Sequence, residues 1–177
     1  MNISFQHIIP TGFNNQSRVW IYQNNRPFTK PEMLHIEEHL GNRILEWEFQ
    51  GTSLQSHVSI LFQQFIIVMV DQPATQNNSS YAGNLIGLIR EIEEDCQVTL
   101  SNRQMLAFII QDRIQLMPLT MVNDAIEKDL ITSETLYFNN TVLTKEELLN
   151  NWIVPLKDSW LSNRMPENVE SDDEFIY

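Results

Sequence analysis

Ser56-His-Val-Ser-Ile-Leu-Phe-Gln-Gln-Phe-Ile-Ile-Val-Met-Val-Asp71 is the stretch of the chain that decides its fold. Its first half alternates residue by residue, which is the period of a half-buried strand. Its second half, Phe65 to Val70, is an unbroken apolar run rich in β-branched residues. We therefore predict a β-hairpin whose arms meet at Gln63-Gln64. Because the second arm has no polar alternation, it is expected to be a central strand that is covered on both faces.

Composition sets limits on the protein class. The 177 residues include 42% hydrophobic residues, enough for one domain that buries roughly two-thirds of its unfolded surface. The formal charge of −12 makes this an acidic protein and disfavours nucleic acid or an anionic membrane as a partner. No apolar run is long enough to span a bilayer, and residues 1–13 do not resemble a signal peptide, so we expect a soluble, cytoplasmic protein. Its single cysteine, Cys96, excludes an internal disulfide.

The order of predicted elements suggests a fold class. Ser17–Gln23 has the pattern of a strand, and Thr29 with Glu32 has the spacing of a capping box that begins a helix. After the central hairpin we expect a second amphipathic helix at about 84–96 and a second hairpin around Gln111-Asp112. This order predicts an α+β domain with an antiparallel sheet and a ferredoxin-like βαββαβ core.

The chain divides into four predicted segments. Residues 1–16 are interpreted as a polar lead-in, and 17–165 as a single α+β domain. Within that domain, 17–117 form the ferredoxin-like core and 118–165 a C-terminal α/β extension, whose last helix Thr144 is expected to cap. Residues 166–177, Pro-Glu-Asn-Val-Glu-Ser-Asp-Asp-Glu-Phe-Ile-Tyr, are interpreted as a disordered acidic tail that is dispensable for stability.

A family resemblance rests on six blocks: Ser17-Arg-Val-Trp-Ile-Tyr-Gln23, Phe65-Ile-Ile-Val-Met-Val-Asp71, Ile89-Arg-Glu-Ile-Glu93, Gln115-Leu-Met-Pro-Leu119, Phe138-Asn-Asn140 with Val142, and Trp152-Ile-Val-Pro155 with Asp158-Ser-Trp-Leu161. They resemble a small uncharacterised bacterial family that carries the automatic label "ABC transporter ATPase". The family tends to have a Cys-Ser-Ile-Asp-like stretch before the second helix, whereas this chain has Asn77-Asn-Ser-Ser-Tyr81. That departure argues against a nucleophile there.

The residues do not support the ATPase label. A P-loop requires GxxxxGK[ST], and none of the four lysines lies in that motif. Asp71 ends an apolar run as a Walker B aspartate does, but without a P-loop we interpret it as the polar end of a buried strand. We therefore predict no ATP binding and no cofactor.

Other patterns indicate catalytic or metal chemistry only weakly. His35-Ile-Glu-Glu38-His39 matches H-x-x-E-H, but both histidines fall on the outer helix face beside Glu46, without a third ligand. Cys96 lies on the inner face of its helix, where a thiol is inert. The loop 72–83, with Ser79 and Ser80, leaves open an alternative function as a hydrolase or transferase.

The C-terminal part favours a different class of function. Residues 118–152 loosely resemble small GYF-type adaptor modules, which present aromatic residues to a peptide. We therefore predict a non-catalytic protein-interaction or scaffold module, with Trp152, Pro155, Trp160 and Tyr137 as candidate partner-binding residues and no catalytic or metal site. The partner is another protein or a second copy, so the chain is a monomer or a homodimer.

The central strand also requires cover on its second face. We expect Trp152 and Trp160 of the C-terminal segment to provide it, and a second subunit is the alternative. Under the first possibility, replacing Trp160 by alanine is predicted to cost roughly 3 to 5 kcal/mol of stability.

Overall fold

The computed structural model of the chain describes residues 1–49, 52–73 and 79–165. Within these ranges the helices are α1 (Lys30–Ile44), α2 (Ser79–Cys96), α3 (Val122–Glu127) and α4 (Lys145–Asn151), with short 3-10 helices at Gln6–Ile8, Leu119–Met121, Leu156–Asp158 and Trp160–Arg164. The strands are β1 (Ser17–Gln23), β2 (Glu48–Phe49), β3 (Thr52–Ser53), β4 (Ser56–Leu61), β5 (Phe65–Pro73), β6 (Met105–Ile110), β7 (Arg113–Pro118), β8 (Leu136–Phe138) and β9 (Ile153–Pro155).

The predicted central hairpin is present as β4 and β5, which pair in antiparallel register from Ser56 opposite Val70 to Leu61 opposite Phe65. Its turn includes one residue more than predicted, because Phe62 and Gln63 both have positive φ, at 53° and 57°. All residues from Phe65 to Val70 are at most 1% exposed. The prediction of a central strand buried on both faces is therefore confirmed.

The sheets are antiparallel, which confirms an α+β protein, but the ferredoxin-like topology is not confirmed. The first sheet has the order β1-β5-β4, and the second has the order β7-β6-β8-β9. A ferredoxin-like core would place β6 at the free edge of β1. Instead β7 and β8 flank β6 on its two sides, and its central residues Leu106, Ala107 and Phe108 are buried. The apolar run of β6 makes it the centre of a second sheet, for the same reason that β5 is the centre of the first.

The elements stack in four layers. Helices α1 and α2 cover one face of the first sheet, in a core that includes Ile36 and Leu40 of α1, Leu85 and Ile92 of α2, and Val68 of β5. The second sheet packs on the opposite face, and α3 with the last two 3-10 helices covers the outer side of that second sheet. Because β6 pairs with β8, the boundary expected at residue 117 passes through one continuous sheet.

The two predicted caps are confirmed, whereas α2 begins at Ser79, five residues before its predicted start at about 84. Thr29 and Glu32 form both bonds of a capping box at α1, with the Thr29 amide donating to Glu32 Oε2 over 2.7 Å. Thr144 caps α4 by accepting from the Glu147 amide over 3.2 Å. Each bond satisfies a backbone or side-chain group at the helix end that would otherwise lack a partner.

Residues 1–16 are more than a polar lead-in, and this prediction is corrected. Phe5, Ile9 and Phe13 are buried against the second face of the first sheet. The buried Lys145 ammonium donates to the Thr11 and Phe13 carbonyls over 3.2 and 2.7 Å and so holds the segment in place. The sequence pattern was misleading because three apolar residues spaced four apart lie among polar neighbours.

An aromatic cluster joins the two sheets. It consists of Phe5, Phe62, Phe65, Phe138 and Trp152, in which Phe65 stacks on Phe138 at 4.6 Å and Trp152 meets Phe5 edge-on at 4.9 Å. Such pairs add about 0.5–1.5 kcal/mol each beyond their buried area. The C-terminal segment therefore contributes to the cover of the first sheet, as expected, through Trp152.

The expectation for Trp160 is wrong. Its side chain is 46% exposed and lies outside this cluster, so a core-sized loss of stability on its removal is no longer expected. The 3-10 helix that it begins turns its neighbour Leu161 inward instead, and Leu161 packs in the core between the second sheet and α3.

Candidate functional site

A wide concavity in the described part of the chain follows the outer edge of β1. This β1 cleft has a volume of about 620 Å³ and lies between α2, the segment 100–106 and residues 137–143, which lead from β8 toward α4, with Trp160 among its lining residues. Its walls come from α2, the first sheet, the second sheet and the last 3-10 helix.

The floor of the cleft includes an unpaired strand edge. β1 pairs with β5 along one side, and on the other side it forms an isolated antiparallel bridge between Arg18 and Thr144, next to which the Val19 amide donates to the Leu143 carbonyl over 2.8 Å. Backbone groups alternate in direction along a strand, so the N–H and C=O of Ile21 point the same way as those of Val19. Within the described part of the chain, no backbone group bonds to those of Ile21.

A chain of side-chain hydrogen bonds holds this end of β1 to the second sheet. Trp152 Nε1 donates to Asn140 Oδ1 over 3.0 Å, and Asn140 Nδ2 donates to Gln23 Oε1 over 2.9 Å. Gln23 Nε2 then donates to the Met105 carbonyl over 3.1 Å. Because each amide both donates and accepts, the network leaves little freedom to rotate and fixes the distance between the walls.

The lining is basic in an acidic protein. Arg90 of α2 and Arg103 belong to it, and no Asp or Glu does, although the chain has 23 acidic residues and a charge of −12. Neither arginine forms a salt bridge with a described residue, but the Arg90 charge acts on Glu93. The Glu93 carboxylate accepts from the amides of the lining residues Leu100 and Ser101 over 2.6 and 3.0 Å. Burial raises the pKa of Tyr22, against the opposing effect of the nearby Arg103 charge, so this phenol stays a neutral hydrogen-bond donor in the cleft.

Apolar side chains project around the same cleft. Ile86 is 50% exposed, Leu143 56% and Trp160 46%, and they come from α2, the loop before α4 and the last 3-10 helix. Single exposed apolar residues are common on protein surfaces, whereas these three come from distant parts of the sequence and meet at one cleft.

The four predicted partner-binding residues do not form one surface. Trp152 is fully buried in the aromatic cluster, which corrects its expected place on a binding surface. Tyr137 is 2% exposed and accepts a 3.2 Å hydrogen bond from Trp160 Nε1. Pro155 is partly buried in β9, and Trp160 alone presents a large apolar area to solvent.

The H-x-x-E-H histidines contact carboxylates of the neighbouring helix. His35 Nε2 lies 3.2 Å from Asp95 Oδ2, and His39 Nε2 lies 2.9 Å from Glu91 Oε2. In residues 1–49, 52–73 and 79–165, no three His, Cys, Asp or Glu side chains are grouped to hold a metal ion. These pairs join α1 to α2 across their exposed side.

The remaining candidates have structural environments or lie outside the described residues. Asp71 Oδ1 accepts from Ser17 Oγ over 2.6 Å and thereby fastens the segment that leads into β1. Burial raises the pKa of Cys96, which keeps its thiol protonated. Positions 74–78 of the alternative catalytic loop 72–83 fall outside the described residues, and α2 begins within the loop at Ser79.

Sequence reasoning missed Arg90, Arg103, Ile86 and Leu143. Ile86 had a visible signal, because it is an apolar residue off the inner face of an amphipathic helix. The two arginines had no such signal, since only the packing of α2 beside the segment 100–106 brings them to one cleft.

None of the helices in the described ranges has the length and apolarity that a bilayer crossing requires. No protein-family model, curated protein or solved structure matches this chain.

Proposed function

We propose that this protein is a non-catalytic interaction module that binds an extended acidic segment of a partner protein in the β1 cleft. One observation carries the proposal: the cleft lining combines two arginines that form no salt bridge with a described residue, no Asp or Glu among the lining residues, and an open strand edge at Ile21, in a chain whose charge is −12. A cationic site on an acidic protein attracts a segment that the rest of the surface repels, and this contrast gives specificity.

Backbone pairing supplies the first part of recognition. An extended peptide laid beside β1 would bond to the N–H and C=O of Ile21 and add a strand to the first sheet. The Val19–Leu143 bond closes the edge before Ile21, so the free edge is short. Side-chain contacts must therefore contribute much of the affinity.

Side chains of the cleft supply the second part of recognition. Because a guanidinium matches a carboxylate in shape and offers two parallel donors, Arg90 and Arg103 select Asp or Glu. Alternate peptide side chains would face α2 with its exposed Ile86, or the opposite wall with Leu143 and Trp160. The preferred ligand is thus an extended peptide with both acidic and apolar residues.

Selection from a random 12-residue peptide library on the immobilised full chain tests the proposal. We expect enrichment of Asp and Glu together with aromatic or aliphatic residues. Arg90→Glu combined with Arg103→Glu is expected to lower the affinity for the selected peptides by about tenfold or more, as removal of interface hot-spot residues does.

Arg113→Glu is the matched control, since Arg113 is an exposed arginine in β7, outside the cleft. It changes net charge by the same amount per substitution. If Arg113→Glu lowers the affinity for the peptides as much as each cleft substitution does, the β1 cleft is not the binding site. The same conclusion follows if the selected peptides are not enriched in Asp and Glu.

A further inference from the structure

We propose that two copies of the chain associate edge to edge through β4, so that three strands from each copy form one continuous antiparallel sheet. The inference does not depend on the proposed function, because β4 and the β1 cleft lie at opposite edges of the first sheet. It assigns the second edge of that sheet to another copy of the same chain.

β4 has unpaired backbone groups along its outer edge. The Asp71 amide donates to the Gln55 carbonyl over 2.8 Å, just before β4 begins. Because backbone groups alternate in direction along a strand, Ser56, Val58 and Ile60 point their N–H and C=O groups away from β5. On that side, no backbone group of residues 1–49, 52–73 or 79–165 bonds to them. The edge is therefore a template for a further strand.

This edge lacks the features that commonly keep sheet edges apart. Residues 51–70 include no Asp, Glu, Lys, Arg or Pro, whereas β7, an edge of the second sheet, begins with Arg113 and ends with Pro118. Burial lowers the pKa of His57 in β4, so its ring adds no charge at neutral pH. Because each copy has a formal charge of −12, two copies repel each other over most of their surfaces and approach most easily through this uncharged edge.

The free edge is complementary to itself. With a twofold axis at Val58, Val58 pairs with Val58 of the second copy, and Ser56 pairs with Ile60. All the outward-pointing residues then belong to hydrogen-bonded pairs, which exchange two backbone bonds each. An axis at Ser59 would instead place Ser56 opposite Phe62, which lies in the hairpin turn. The axis at Val58 therefore uses the edge most fully, and this symmetry favours a second copy over an unrelated strand.

Two buried polar atoms of β4 have no hydrogen-bond partner in the described part of the chain, namely His57 Nε2 and Ser59 Oγ. Both residues lie on the face of β4 that carries Leu61, where the His57 ring meets Phe13 edge-on. In the proposed register His57 lies opposite Ser59 of the second copy, in a non-hydrogen-bonded pair whose side chains come closest. The His57 residue is only partly buried, so its ring can turn toward that hydroxyl. The twofold symmetry then satisfies both orphaned groups in each copy.

The helix above this edge leaves room for a second copy. α1 packs against β4, and its histidines turn toward α2 on the other side. Lys30, Leu34, Glu37 and Gly41 follow at helical spacing on the flank away from α2. The two charges on this flank are opposite in sign, and Leu34 is 68% exposed.

Gly41 marks the point where two copies of α1 would meet. Each helix covers β4 and β5 of its own copy, so the two helices would lie about two strand spacings apart, roughly 10 Å. Packed helices lie roughly 8–10 Å apart. A β-carbon added at Gly41 would meet no described atom within 4 Å beyond its own stretch of helix backbone. Packing within the chain therefore does not require this glycine, whereas a close approach of two helices does.

The dimer would leave both β1 clefts open. Its two β1 strands form the outer edges of the joined sheet, five strand spacings or roughly 24 Å apart. Together with the proposed function, this arrangement makes the dimer a bivalent binder of acidic segments.

Sedimentation velocity of the full chain tests the inference, from about 1 µM to about 1 mM protein. We expect an equilibrium between monomer and dimer that Gly41→Gln shifts toward monomer, with a dissociation constant at least about tenfold higher. Gly87→Gln is the matched control, because Gly87 is an exposed glycine of α2 where an added β-carbon also meets nothing within 4 Å. Raising the salt concentration from about 0.05 M to about 0.5 M is expected to strengthen the dimer, because it screens the repulsion between two acidic chains.

A disulfide crosslink tests the register. His57→Cys with Ser59→Cys, in a chain that also carries Cys96→Ser, is expected to form a covalent dimer on oxidation, because opposed Cα atoms of a non-hydrogen-bonded pair lie about 4.5 Å apart. The same two substitutions at Arg113 and Gln115 of β7 are the control and are expected to leave the chain monomeric on a non-reducing gel. Thermal melts confirm that each variant is folded.

Three results would overturn the inference. The first is a natural chain that stays monomeric at the highest concentration, and the second is a dimer that Gly41→Gln and Gly87→Gln weaken equally or that salt dissociates. The third is a dimer whose cysteine pair at positions 57 and 59 does not crosslink. None of these measurements uses a peptide, so a monomeric chain that binds library-selected peptides overturns the inference and still upholds the proposed function.

Discussion

Trp152 and Trp160 lie eight residues apart and have opposite roles. Trp152 is fully buried, contacts four phenylalanines and donates to Asn140, whereas Trp160 is among the lining residues of the β1 cleft. Both were interpreted from the sequence as one apolar surface. Trp152 therefore belongs to the core that holds the cleft in shape, whereas Trp160 keeps 46% of its surface exposed to solvent beside the cleft.

The largest effect is expected at Trp152. Trp152→Ala removes the side chain that joins the two sheets, and large-to-small core changes of this kind cost about 3–5 kcal/mol. Urea unfolding at pH 7 measures the loss. If the free energy of unfolding falls by less than about 1 kcal/mol, Trp152 is not the centre of the core.

Asn140→Leu is expected to cause the next largest loss of stability. It leaves Trp152 Nε1 without its acceptor and Gln23 Oε1 without its donor, and each stranded buried group costs about 1–3 kcal/mol. Urea unfolding measures the loss, and peptide binding should weaken with it because the cleft loses its spacing. Asn150→Leu is the control for the change of side chain, because Asn150 is exposed on α4 and lies outside the network and the cleft.

Glu32→Gln links stability to pH. The hydrogen bonds from Arg26 hold the pKa of Glu32 at about 2, well below its usual value of 4.5. A lowered pKa stabilises the fold above pH 4.5 and loses that effect as pH falls toward 2. For a partly exposed pair we expect Glu32→Gln to cost about 1 kcal/mol at pH 7. In thermal melts the difference from the natural chain should vanish near pH 2, and a constant difference across pH would refute the assignment.

Trp160→Ala completes the comparison. We expect a stability change below about 1 kcal/mol, as for exposed positions, with at least about tenfold weaker binding of library-selected peptides. Thermal melts and fluorescence anisotropy measure the two quantities. A core-sized loss of stability would place Trp160 with Trp152 and remove the contrast between them.

The last prediction is that ATP does not bind. Because no lysine lies in a P-loop, titration of the full chain with ATP and magnesium in a calorimeter should give no saturable heat. Saturable binding at micromolar ATP would contradict this prediction.

Local signals in the sequence predicted the elements well and their assembly less well. The alternation of β4, the apolar run of β5 and the Thr29–Glu32 spacing depend on neighbouring residues, and the structure has them as predicted. The assignment of β6 to a second sheet depends on its pairing with β8, which follows a long connection. No periodicity in β6 distinguishes the two sheets, so the predicted topology failed there.

The candidate site was harder still to predict. Trp160 was identified because tryptophan is rare and prominent, but the arginines at 90 and 103 approach each other only through the packing of α2 on the first sheet. The residues that line the cleft come from a strand edge, a helix and several loops, so no regular spacing in the sequence relates them to one another. The parts of the cleft become visible only once the layers are assembled.

The buried Lys145 and Trp152 also have a consequence for synthesis on the ribosome. Phe65, Ile67 and Met69 belong to a core that Trp152 and Leu148 complete, so one face of β5 stays only partly covered, by residues of the N-terminal segment, until residue 152 has been translated. At about 5–20 residues per second, the delay after β5 is roughly 4–16 s. During that time the nascent chain exposes its most apolar strand, and we expect a chaperone to shield it. Chains stalled before residue 145 should therefore be more sensitive to protease and more prone to aggregate than chains stalled after residue 165.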